Sequence, residues 1–127
     1  MIRLGESAKL VIGVAPAVRV AGNVNGVIVD RIGFLDAVVH LGLGVVAGAP
    51  SVQGVALKLQ TGAVVDGSDM ADVTGATITA LTADSLQSEL DVDLSGYKRY
   101  VRAVVTTTFT GGTAPSIPVA EIGRAHV

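Results

Sequence analysis

Three aspartates recur at three-residue intervals, Asp66, Asp69 and Asp72, and offer a set of hard oxygen donors. A calcium loop of the helix–loop–helix kind needs Asp-x-Asp-x-Asp-Gly followed by a distal Glu. The spacing here does not match, so these carboxylates are read as turn-forming and solvating groups. His40 is the one histidine outside the last seven residues. Strand parity sets it opposite Val39 and Leu41, on a surface, and no serine lies in the sharp strand-to-helix context that makes a nucleophile. Asp91 and Asp93 share a face, as the wet side of a sheet requires. Arg99 and Arg102 fall on opposite faces and form no joint anion clamp. Gly42-Leu43-Gly44-Val45-Val46-Ala47 matches the G-x-G-x-x-G/A pattern, which binds a dinucleotide only where a helix begins and offers its N-terminus to the pyrophosphate. Gly48, Pro50 and Gly54 leave no room for that helix. The expectation is no catalytic residue, no cofactor and no metal, hence no enzyme.

The elements that carry these residues are strands. Half of the residues are hydrophobic yet only 3% are aromatic, so the core must be built from Val, Ala, Leu and Ile, a composition that suits sheets. Residues 17–21 read as a first strand, and Asn25-Gly26 as a tight hairpin turn into a return strand over 27–30. A strand over 36–43 turns Val39, Leu41 and Leu43 to one face. Residues 54–61 (GVALKLQT) alternate, with Val55, Leu57 and Leu59 in and Lys58 and Gln60 out, the mark of an antiparallel sheet buried on one side. Residues 66–73 (DGSDMADV) are turn-rich with room for one helical turn, and 77–81 are a weak strand. Residues 89–94 put Leu90, Val92 and Leu94 inside. Ser95-Gly96 then turns the chain into its longest strand, 97–110, with Val101, Ala103, Val105 and Phe109 inside and Tyr100, Arg102 and Val104 on the other face. A last strand begins at 117–120. The fold class is all-β, an antiparallel β-sandwich.

Residues 1–120 suit one domain with a single core, the first fifteen forming an extended arm. The chain has no cysteine, which excludes a disulfide framework and a cysteine-based metal site. A net charge of −2 argues against a nucleic-acid partner held by a basic face and against a polybasic membrane anchor. Residues 34–50 are apolar but interrupted by Asp36 and His40, and a spanning helix needs about 20 mostly apolar residues. Residues 10–15 are too short for a signal-peptide core.

The last seven residues, Glu-Ile-Gly-Arg-Ala-His-Val, are what a widely used sequencing adaptor encodes in one frame, with a stop codon next. Residues 121–127 are therefore expected to be adaptor translation rather than native sequence, to truncate the last strand, and to pack poorly because nothing selected them to dock.

The order of an apolar strand (55–61), an Asp-Gly turn segment (66–73), a Leu/Val strand and then Lys98-Arg99-Tyr100-Val101-Arg102-Ala103-Val104-Val105 resembles tailed-phage capsid cement or decoration proteins and related minor head proteins. The resemblance runs over residues 15–120. Met70 stands where that turn carries an aromatic. It implies a jelly-roll-like sandwich with no catalytic residues, a homo-oligomer that coats or joins subunits of the major capsid protein, made in the host cytoplasm and located in the virion. The alternative is a carbohydrate-binding sandwich. Sugar platforms stack on exposed aromatic faces, and this chain has two Tyr, two Phe and no Trp.

Overall fold

The computed structural model describes residues 8–126. Nine strands are formed among them: β1 (Ala8–Arg19), β2 (Gly22–Asn25), β3 (Val29–Asp30), β4 (Asp36–Leu43), β5 (Val52–Gly62), β6 (Ala71–Leu81), β7 (Gln87–Asp93), β8 (Tyr100–Thr110) and β9 (Ile117–His126). They make two antiparallel sheets, one in the order β1-β9-β4-β7 and the other in the order β2-β8-β5-β6, with β3 also beside β8. No helix occurs in this range, so none could cross a membrane. The chain is a β-sandwich.

Its core follows from period-two alternation. In the second sheet Leu57 lies between Val105 of β8 and Ile78 of β6, and Leu59 pairs with Ala103. Val39, Leu41 and Leu43 of β4 and Ile117 and Val119 of β9 face them from the first sheet, all buried in one cluster. The alternating residues of β7 divide as expected, with Val92 buried and Glu89, Asp91 and Asp93 exposed.

Four local expectations are corrected. Residues 17–19 are the end of β1, which starts nine residues before the strand expected there; residues 8–15 are thus strand rather than arm, while 1–7 lie outside the described residues. Asn25-Gly26 makes no hairpin, since β2 and β3 do not pair with each other but both pair with β8. Gly26 serves close approach instead: its N–H donates to Ala103 O at 2.7 Å, the next N–H, of Val27, donates to Gly13 O at 2.8 Å, and a Cβ at Gly26 would come within 2.9 Å of Ala103 O. Residues 66–73 hold no helical turn, and β6 begins at Ala71. Its first half was hidden because the register shifts in the middle of the strand, so that Val73, Ala76 and Ile78 are all buried and strict alternation fails.

The fourth correction concerns the tail. Far from packing poorly, residues 121–126 continue β9, which is flanked by β1 on one side and β4 on the other. Glu121 points inward at 3% exposure, between Val14 and Leu41, and its Oε2 is a buried oxygen with no partner. Burial pushes its carboxyl up to about 7, against a smaller opposite effect from a hydrogen bond with the Val14 backbone.

Two outcomes follow from this packing. Leu57→Ala should cost about 2–5 kcal/mol in urea unfolding, the range for a buried leucine; a loss below about 1 kcal/mol would contradict the assigned inward face. The Glu121 carboxyl is raised in the folded state, so the unfolded chain gives up its proton first as pH rises. Stability should therefore fall between about pH 4.5 and 7, by roughly 3 kcal/mol. Urea midpoints across that range should decline for the parent chain and flatten for Glu121→Leu.

Candidate docking surface

The residues singled out for possible chemistry are scattered by the fold and occupied locally. Asp66 accepts the Ser68 N–H at 2.8 Å, and Asp69 accepts those of Ala63 at 2.8 Å and Val64 at 3.1 Å. These backbone bonds hold both carboxyls below their ordinary range. Asp72 faces outward on β6, where Gln60 and Lys58 hydrogen-bond it and lower its pKa. No group of three or more His, Asp or Glu side chains converges as a metal site among the described residues. His40 lies on the outer face of the first sheet with Nδ1 3.4 Å from Glu89 Oε1. Arg102 donates to Gln60 at 2.9 Å, while Arg99 makes a two-pronged contact with Asp30 at 2.9 and 2.6 Å, which raises its pKa. After Gly44 the chain runs as a loop, with Val46 N–H bound to Asp84 at 3.0 Å and Ala47 bridged to Ser116.

What the fold does assemble is one end of the sandwich. Asp36 pairs with Asp93 in the first sheet, and Gly62 pairs with Tyr100 in the second. The loops 31–35, 63–70 and 94–99 therefore leave the sheets at the same end. They are tied to each other and to themselves. The Arg31 guanidinium donates to the carbonyls of Lys98 (2.7 Å), Phe34 (3.1 Å) and Tyr97, and the Leu94 N–H reaches Leu35 O at 2.7 Å. Lys98 Nζ lies 3.9 Å from Asp69, linking the second loop to the third. Asp93 accepts from both the side chain and the backbone of Ser95, in that order of effect, and its pKa is lowered.

These bonds fix apolar side chains in solvent. Ile32 is 65% exposed, Leu35 54%, Val64 41%, Val65 66% and Tyr97 38%, all on the three loops. Scattered single apolar residues are ordinary on a surface, but a contiguous set marks a contact site. Of the charged groups here, Arg99 pairs with Asp30, Lys98 lies near Asp69, Arg31 is held by three carbonyls and Asp66 accepts from Ser68. The surface thus combines exposed apolar side chains with charged groups held in place by local bonds. Sequence reading missed it, because loop side chains have no periodicity and only the three-dimensional arrangement brings them together. The one available signal was a pair of apolar residues in each of two loops where polar ones are usual, Ile32 and Leu35 in the first and Val64 and Val65 in the second.

No protein-family model matches the chain, and curated protein sequences give no match. Solved structures are similar in fold. The PBSX exported protein XepA matches with a TM-score of 0.61 and 14% identity over 100% of this chain and 39% of its own. The SPBc2 prophage-derived protein YomS matches at 0.50 and 12%, over 94% of this chain and 93% of that one. A chain of the T13 infectious bursal disease virus particle matches at 0.56 and 12%, over 94% and 31%. The protein thus spans about two-fifths of XepA, a third of the virus chain and nearly all of YomS. At these identities the likeness establishes a shared β-sandwich fold.

Proposed function

We propose that this protein is a non-enzymatic structural component of a tailed-phage virion, which decorates or cements the capsid shell. The observation that carries the reading is the apolar end formed by Ile32, Leu35, Val64, Val65 and Tyr97 on loops held by Arg31, Asp69 and Asp93. Loops already ordered before contact lose little entropy on docking. A modest apolar patch repeated over many identical sites binds by avidity rather than by tight single contacts. The major capsid protein, at the seams between its subunits, is the partner that presents such repeated sites, and a homo-oligomer would multiply them. The fold likeness to prophage-encoded proteins and to a virus-particle chain supports this reading.

The test is co-sedimentation with assembled shells and with free capsid subunits from the same phage, alongside a glycan array. Binding to shells in many copies, weak binding to free subunits and little salt dependence are expected, since the charged groups there are already held by local bonds. Ile32→Ser with Val65→Ser should weaken shell binding by about 10-fold or more, as burying each side chain is worth roughly 1.5–3 kcal/mol. Stability should change by less than about 0.5 kcal/mol, both positions being exposed. Strong glycan binding without shell association would move the assignment to a carbohydrate-binding module.

A further inference from the structure

The inside–outside pattern of β9 breaks at one position. Ile117 and Val119 point into the sandwich and are completely or almost completely buried, while Pro118 is exposed on the outer face. Continuing that alternation, residues 121 and 123 must also point inward and 122 and 124 outward. The side chains found there are the reverse of what these environments accept. Glu121 puts a carboxylate between buried Val14 and Leu41, with Oε2 unpartnered. A Cβ on the facing Gly13 would collide with that carboxylate, so only the absence of a side chain there makes room for it.

Two residues on, Gly123 occupies the inward position between Val11 and Val39 and contributes nothing to fill it. Beside it lies a cavity of about 60 Å³ whose lining includes Val11, Ala37, Val39, Leu59 and Ala103. The space is open on one side, and a branched side chain at position 123 would cover its apolar walls. Meanwhile the branched apolar side chain, Ile122, has been put on the outer face, in the row of Ile12 and His40. A register slip of one residue would exchange these faces, but β9 is held without a shift against β4 from Asp36↔His126 to Leu43↔Val119. Pattern and backbone disagree from residue 121 onward and agree before it, and 121 is also where the chain begins to read as translated adaptor.

We infer that the residues at 121–127 are not those with which this sandwich evolved, and that its native β9 carries branched apolar side chains at positions 121 and 123. The native strand then fills the space beside Val11, Val39 and Ala103 and needs no buried carboxylate, while its residue at 122 lies on the outer face between Ile12 and His40.

Two measurements test this independently of any capsid. Amplifying and sequencing the gene from its source DNA should return apolar codons at 121 and 123; reading Glu-Ile-Gly-Arg-Ala-His-Val there overturns the inference. In the protein as given, Glu121→Val with Gly123→Val should raise the thermal midpoint at pH 7 by on the order of 10 °C, with the far-UV spectrum of a sheet retained. The outward control Ile122→Thr should move it by less than about 2 °C. A double variant no more stable than its parent, or a control that destabilises as much as the double variant stabilises, would mean that β9 is not packed with this parity, and the inference falls. If the double variant does not fold, Glu121→Val alone is the deciding variant, and a midpoint at or below the parent's overturns the inference.

Discussion

The unbroken register between β5 and β8 is the constraint on which the rest of the sandwich depends. The strands pair from Val52↔Thr110 to Gly62↔Tyr100 with no shift. In an antiparallel pair, a slip of one residue would turn every inward side chain outward. Here that would expose Val55, Leu57 and Leu59 together with Ala103 and Val105, the centre of the core. The same register places Gln60 beside Arg102 on the outer face, where their side chains hydrogen-bond. It also decides where β5 ends and β8 begins, and so brings the loop after Gly62 alongside the loop before Tyr100. The apolar loop end of the sandwich is a consequence of this pairing.

Much of that frame was legible in the sequence, and the places where it was not have physical causes. β4 runs over the residues expected of it, and the inward residues of β5 and β7 were readable because one face of each is more buried than the other, while in β8 Val104, expected on the outer face, is buried as well. Strands with broken alternation were not readable. The register of β1 shifts between Ile12 and Val14 and again before Ala17, around Pro16, and β6 shifts near Gly75, where φ is 77°. Asn25-Gly26 has the composition of a hairpin turn, yet its glycine answers a tertiary demand, the near approach of two backbones from different sheets. Asp66 and Asp69 accept turn backbone N–H groups as read, whereas Asp72 lies on β6 and is held by Lys58 and Gln60. The apolar loop end was invisible because it is made by proximity between loops and not by any pattern within one.

The exposed edges of the first sheet are guarded in two different ways. β7 carries Glu89, Asp91 and Asp93 on its outer face, and a second copy brought edge to edge would set like charges together. β1 is instead bent by its register shifts and contains Pro16, which has no N–H to donate to a neighbouring strand. Unpaired strand edges are templates for aggregation, and each of the two edges carries a device against it.

The strand order β1-β9-β4-β7 has a consequence for the order of synthesis. In the first sheet β1 pairs with β9 alone, and β4 has β9 as one of its two neighbours. Once residue 116 has been made, every strand of the second sheet has been synthesised, but β1 still has no partner and one side of β4 is open. The first sheet can close only when β9 inserts between two strands made long before it. Such long-range pairing is slow relative to local contacts, and until it happens an apolar strand edge remains open to other nascent chains. Closure of the first sheet is therefore governed by β9, the last of its described strands to be made.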